Sequence, residues 1–196
     1  MILSYTMPAQ GAINWPSRFD RTIPSKFFRV IDDESFVSLD DLGNFDVGYS
    51  TRYIALEHRI TAYSVKCHLS WSMNCDSKGL ISVCGTCEKA AREVSWRTRE
   101  ERTNICVFEI STTDLQWTVM RLGDWAVDVL TDASNDLLFI RALDLVLHFD
   151  LHLPGQLQHK VLAGAADEWL AFEWIPKRMI REMETRVANN GTIQYV

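Results

Sequence analysis

The spacing of apolar positions changes period several times along the chain and predicts a mixture of strands and helices. Phe27-Phe28-Arg29-Val30-Ile31 is a short run rich in aromatic and β-branched residues, closed by the acidic turn Asp32-Asp33-Glu34-Ser35, and it reads as a strand. Residues 36–49 carry Gly43, Asn44 and Gly48 among scattered aromatics, the signature of a loop. Over residues 50–71 the apolar positions Ile54, Leu56, Ile60, Ala62, Tyr63, Val65 and Leu69 recur mostly three or four apart behind Ser50 and Thr51, which predicts a capped amphipathic helix. Gly79-Leu80-Ile81-Ser82-Val83-Cys84 is a second strand, and Thr86 followed by Glu88, Lys89, Ala90 and Ala91 starts a helix that runs to about Glu101.

Farther on, Ile105-Cys106-Val107-Phe108-Glu109-Ile110 predicts a third strand, and residues 117–120 are compatible with a fourth. Residues 137–153 carry two patterns. Every odd position from Leu143 to Leu153 is apolar, as in a strand, yet Leu, Ala and Asp dominate the first part, and we read helix there. Glu168-Trp169-Leu170-Ala171-Phe172 is a strand with an acid at its start, bounded by Ile175-Pro176, and residues 177–187 are basic and helix-compatible. Residues 1–24 show neither period and are expected to form an N-terminal arm; residues 25–196 are expected to form one α+β domain.

Composition narrows the function classes. The 20 Lys+Arg against 26 Asp+Glu give a net charge of -6, which disfavours nonspecific binding to nucleic-acid phosphates while leaving room for one basic cleft. No run of about 18 apolar residues occurs, so no membrane partner is expected. Pro8, Gly11, Asn14 and Pro16 interrupt the apolar stretch that a conventional secretory signal needs, and the five cysteines are an odd number. Reduced thiols and a cytoplasmic or other intracellular location follow as expectations.

Three polar residues stand within or at the start of separate strand-like runs: Arg29, Ser82 and Glu168. An arginine can hold a phosphate by paired hydrogen bonds, a serine can fix a hydroxyl or amide, and a carboxylate can stabilise positive charge developing on a sugar. The same residues also fit solvent-side positions of edge strands and a loop acid. At these blocks the chain resembles the ADP-ribosyltransferases of the bacterial-toxin kind and related fungal domains. Phe27 to Asp33 is similar to that family's first strand with its aromatic-Arg pair. The run from Gly79 to Cys84 is similar to the strand that carries its Ser-Thr-Ser motif. Asp167-Glu168-Trp169-Leu170-Ala171-Phe172-Glu173-Trp174-Ile175-Pro176 resembles its final block, in which a catalytic Glu opens a strand ending in Ile-Pro.

The resemblance implies a split or two-layer β-sheet with flanking helices, NAD as co-substrate and no metal. It implies Glu168 as the catalytic acid, with Arg29 and Ser82 binding NAD. The partner it implies is a macromolecular acceptor, most simply a protein, or else water. Two departures refine this. Cys84 stands where the motif has Ser or Thr, and Ala166 stands two residues before Glu168, where toxins that modify arginine place a second Glu or Gln. An acceptor other than arginine follows, and so does a second possibility, an inactive domain of this kind serving as a protein-interaction module.

Competing signals are weaker. Cys84-Gly85-Thr86-Cys87 is a CxxC whose zinc site would need two more ligands from Cys67, His68, Cys75 or Cys106, which keeps a zinc-stabilised binding domain as a third reading. His148, Asp150 and His152 would share one face of a strand and could bind a metal. The seven Trp residues read mainly as core, and Tyr49, Tyr53, Trp71 and Trp96 are the candidates for stacking on a nicotinamide ring.

Overall fold

Strand pairing between segments far apart in the chain organises the protein. The structure is a computed structural model that describes residues 22–47, 58, 60–69, 79–134, 136–151, 167–183, 185–187 and 193–195. Eight strands form one sheet in which every neighbouring pair is antiparallel: β1 (Lys26–Ile31), β3 (Leu80–Cys84), β4 (Cys106–Ser111), β5 (Gln116–Leu122), β6 (Trp125–Thr131), β7 (Leu138–Arg141), β8 (Glu168–Phe172) and β10 (Ile180–Met183). Their order across the sheet is β10-β4-β1-β3-β8-β7-β6-β5. The short β2 (Phe45–Asp46) pairs with β9 (Trp174–Ile175), and β11 (Thr185–Val187) pairs with β12 (Ile193–Tyr195). Three helices are described: α1 (Ala62–Leu69), α2 (Cys87–Arg99) and α3 (Ala142–His148). The fold is α+β.

Alternation along the strands sorts side chains onto two faces. On one face Phe27, Ile81, Val83, Phe108, Ile110, Leu130, Phe139, Trp169 and Ala171 build a core that is closed by Val37 and Phe45 and by Ile175 and Met179. Phe27 packs against Phe139 and Trp169 with ring centroids 4.9 and 5.2 Å apart. The other face carries all three helices in two apolar groups. α1 and α3 cover Leu80, Leu138, Ile140, Leu170 and Phe172, whereas α2 covers Phe28, Val30, Cys84 and Val107. Between those two groups, on the same face, lie Ser82 and Glu168.

β1 runs beside β4 along its whole length, but it is registered to β3 through Phe28↔Cys84 alone. The sheet therefore consists of two well-paired halves joined at one point. The N-terminal segment ends against this framework: Ile23 packs on the first core, and Thr112 Oγ1 donates to the Pro24 carbonyl at 2.6 Å. The remainder of the arm expected over 1–24 lies outside the described residues.

Several elements differ from the sequence reading. Within residues 137–151, Leu138–Arg141 is strand β7 and Ala142–His148 is helix α3, so the helix reading holds only from Ala142 on, and the strand lies ahead of the alternating run that begins at Leu143, most of whose first half is helical. Residues 177–187 are not an α-helix. A 3-10 turn at Lys177–Met179 redirects the chain, and β10 then adds to the exposed edge of β4, with Ile180↔Ile110 and Met183↔Val107 in register. Pairing at a sheet edge overrides the helix propensity of Arg, Glu and Met. The loop over 36–49 contains β2, and of the helix expected over 50–71 Ala62–Leu69 is α1, while Ile60 and Thr61 just ahead of it are not helical. Among the described residues no helix is long and apolar enough to cross a membrane.

Candidate active site

The polar seam between the two helix-covered groups is built from β3, β8, α1 and α2. Ser82 is the single polar side chain of a strand whose other four residues are buried, and Glu168 opens β8 diagonally across from it, since Cys84 is the residue that pairs with Glu168. Ser82 Oγ donates to Glu168 Oε1 at 2.7 Å, joining positions 86 residues apart. From α1, His68 places Nε2 2.6 Å from the same Ser82 hydroxyl. From the first turn of α2, Lys89 places Nζ 3.2 Å from Glu168 Oε2, with both side chains largely covered at 17 % and 15 % exposure.

Hydrogen-bond accounting orients this chain. The Ser82 hydroxyl has one proton and gives it to the anionic acceptor Glu168, so His68 Nε2 must carry a hydrogen and donate to Ser82 Oγ. Burial lowers the His68 pKa to about 4, with the Glu168 charge opposing the shift and Arg29 adding to it, so the imidazole is neutral near pH 7. A serine nucleophile needs a basic imidazole that accepts its proton, and this arrangement supplies neither. What the geometry does supply is a carboxylate held in place by a hydroxyl and an ammonium, suited to stabilising a nearby cation.

Local sequence explains why the parts meet. Thr86 caps α2, its hydroxyl accepting from the Lys89 main-chain N–H at 3.3 Å, and this sets the helix start beside the end of β3. Gly85 allows the turn between them to lie close to β8: its N–H donates to the Asp167 carbonyl at 2.7 Å, and a Cβ there would stand 3.2 Å from Trp169 Nε1. Beneath α2, Arg97 is ion-paired to Asp32 at 2.7 Å and to Glu93 at 2.6 Å, and Ser35 accepts a further hydrogen bond from it at 2.9 Å. That buried network ties the helix to the turn after β1.

Arg29 occupies a different position from Ser82 and Glu168. By strand alternation it follows Phe27 onto the other face, and its guanidinium fills the gap where β1 and β3 separate. Nη1 donates to the Ser82 main-chain oxygen at 2.7 Å, Nη2 donates to the Val37 oxygen at 3.0 Å, and the head lies 5.0 Å from the centroid of Phe45. It is 9 % exposed, its Nε has no hydrogen-bond partner, and burial pulls its pKa down to about 10. The three residues singled out in the sequence are thus neighbours, but Arg29 touches the seam through the main chain of Ser82.

Other candidates resolve individually. Cys84 is buried, its thiol points to Glu93 Oε2 at 3.7 Å, and burial raises its pKa well above the usual thiol range. Cys67 is disulfide-bonded, which corrects the expectation of reduced thiols throughout; an odd count excludes complete pairing but permits a bridge. Among the described residues no group of three or more His, Cys, Asp and Glu side chains is arranged to hold a metal. His148 ends α3 and stacks on Trp125 with centroids 3.7 Å apart, and Asp150 lies in a turn with φ 47°; His152 lies outside the described residues. Trp96 is on the outer part of α2 at 37 % exposure, and Tyr49, Tyr53 and Trp71 lie outside the described residues.

The sequence offers His68 only as a candidate zinc ligand and Lys89 only as part of a helix start, and it places neither beside Ser82 and Glu168. Lys89 did carry a signal: a cation in the first turn of a helix opposes the helix dipole and calls for a nearby anion. His68 carried only the metal-ligand chemistry of its imidazole, which pointed to the wrong partners. Neither family models, nor curated proteins, nor solved structures give a match to this chain.

Proposed function

We propose that the protein is an NAD-dependent mono-ADP-ribosyltransferase or NAD glycohydrolase that cleaves the bond between nicotinamide and ribose. The observation that carries this reading is the hydrogen bond from Ser82 to Glu168 at 2.7 Å, formed in a seam between two helix-covered clusters. It joins two of the three blocks on which the resemblance rests. The sheet in two halves, joined at Phe28↔Cys84, is compatible with the split sheet of that family.

In this mechanism the leaving nicotinamide takes the bonding electrons, the ribose becomes oxocarbenium-like, and the anionic Glu168 faces that charge. Ser82 holds the carboxylate, and the neutral His68 fixes the direction of the Ser82 hydroxyl. Arg29 fixes the Ser82 carbonyl and hence the strand from which the hydroxyl projects. Water or a nucleophile other than arginine on a protein then takes the ADP-ribose, Ala166 providing no second acid beside Glu168. No covalent enzyme intermediate is needed.

One observation favours the inactive protein-interaction module instead: Glu168 is already ion-paired to Lys89 and the Arg29 head already engages two carbonyls. Calorimetric titration with NAD and a nicotinamide-release assay with cell extract as acceptor separate the two. Binding with release supports the enzyme, and neither at millimolar NAD supports the module.

A further inference from the structure

His68 reaches Ser82 from the last turn of α1, and the residue before it, Cys67, is disulfide-bonded. A helix of eight residues is too short to hold its own shape in water, so its ends stay where tertiary contacts put them. Val65 and Leu69 seat α1 on the apolar group beneath it. The covalent bond at Cys67 fixes the last turn, from which the imidazole projects and where a helix frays most readily. Oxidation of the thiols is also selective. Cys84, Cys87 and Cys106 are free, whereas the cysteine beside the site residue is bridged.

We propose that the Cys67 bridge is a redox latch: closed, it holds His68 on the Ser82 hydroxyl, and reduced, it releases the ring and leaves the seam without its imidazole. The reductant is a dithiol. Its thiolate attacks one sulfur of the bridge, the other sulfur leaves as a thiolate and is protonated, and the mixed disulfide is then resolved by the second thiol of the reductant. The protein loses one S–S bond and gains two thiols, and the dithiol becomes a disulfide. Because Cys67 is only 5 % exposed, opening requires the last turn to loosen, so reduction and release of His68 are one local event. The charges that act on the ring, Glu168 and Arg29, both stand on the sheet and stay in place when the turn moves. Freed from burial, the imidazole returns towards its ordinary pKa of 6.5, and the Ser82 hydroxyl keeps Glu168 as its one fixed partner. The latch acts on the seam whatever ligand the seam takes.

The test follows the His68 ring by proton–nitrogen NMR of the full chain, with His68→Gln identifying its signals. Peptide mapping after alkylation establishes the state of Cys67 before and after treatment with dithiothreitol. In the bridged protein the ring should titrate at about 4. After reduction its pKa should rise to about 5 or above, while the amide spectrum of the sheet keeps its dispersion. Reoxidation should restore the first value. Cys67→Ser should resemble the reduced protein and ignore dithiothreitol; if that variant does not fold, Cys67→Ala takes its place, and the reduced wild type remains the primary measurement. A Cys67 that alkylates without reductant overturns the proposal, as does a His68 pKa that is the same in both states. Loss of the whole folded spectrum on reduction overturns it too, because the bridge is then a staple of the fold and not a latch on one side chain.

Discussion

Arg29 Nη1 donates to the main-chain oxygen of Ser82 at 2.7 Å, across the junction where β1 and β3 are registered through one residue pair. The guanidinium takes the place of the ladder hydrogen bonds that two fully paired strands would make there, and its second donor reaches the Val37 oxygen at 3.0 Å. One buried side chain thus joins the two halves of the sheet, the segment that closes the first core, and the strand that carries the site.

Arg29→Ala is therefore expected to destabilise the protein by roughly 2–4 kcal/mol, because it removes the donors to the Ser82 and Val37 carbonyls and leaves an empty space beside Phe45. Arg29→Lys should recover little, since one ammonium on a flexible stem cannot reproduce the fixed fork of a guanidinium. Urea denaturation measures both, and wild-type stability in either variant would show that the strut is dispensable.

Ser82→Ala removes the one hydroxyl that links His68 to Glu168. The fold loses a donor to a carboxylate and strands the His68 N–H, a cost of about 1–3 kcal/mol. Nicotinamide release should fall by about tenfold or more with a smaller change in NAD affinity, because the carboxylate stays but its direction is no longer fixed. Ser82→Thr keeps the hydroxyl and serves as the rescue.

Legibility in the sequence followed the range of the interactions. Strand identity is local, so the runs around Arg29, Ser82 and Glu168 could be read from β-rich composition, and Thr86 could be read as a cap. The order β1-β3-β8 depends on contacts between distant segments that no local period encodes. Residues 177–187 misled for the same reason, since their helix propensity was overridden by an edge of β4 that lies far away in sequence. The side of β1 on which Arg29 lies was implicit in its alternation with Phe27 and Phe28, but which face carries the seam required the helices to be placed. His68 gained meaning only when α1 was set over β3.

The pH dependence of stability should report on His68. Its folded pKa is about 4 against an ordinary 6.5, so between those values the unfolded chain binds more protons. Stability contributed by the neutral ring is complete above about pH 6.5 and is lost as the pH falls towards 4, a gap worth about 3 kcal/mol at 1.36 kcal/mol per pH unit. Urea midpoints measured from about pH 7 down to about pH 4.5 should fall less steeply in His68→Gln, whose amide can still donate to Ser82 but does not titrate. Parallel curves for the two proteins would contradict a buried neutral imidazole.

Glu168→Gln isolates charge from shape at the centre of the proposed chemistry. The amide keeps the size of the side chain and can still accept from Ser82, but it no longer neutralises the covered Lys89 ammonium, so some stability is lost and the rate is measured well below the melting temperature, with NAD affinity read separately. The anion that faces the developing ribose cation is gone, and nicotinamide release should slow by about 10²-fold or more, the scale for removing one preorganised group from a transition state. Glu173 is the control in the same block. It lies beyond the end of β8 with φ 66°, its N–H donating to the Gly79 carbonyl at 2.7 Å, and this turn takes it off the strand that aims Glu168 at Ser82. Glu173→Gln should leave release within about twofold of wild type. If Glu173→Gln abolishes release while Glu168→Gln spares it, the catalytic acid has been assigned to the wrong carboxylate. If both variants retain the wild-type rate, nicotinamide loss does not depend on a carboxylate of this strand, and the seam between α1 and α2 serves binding alone.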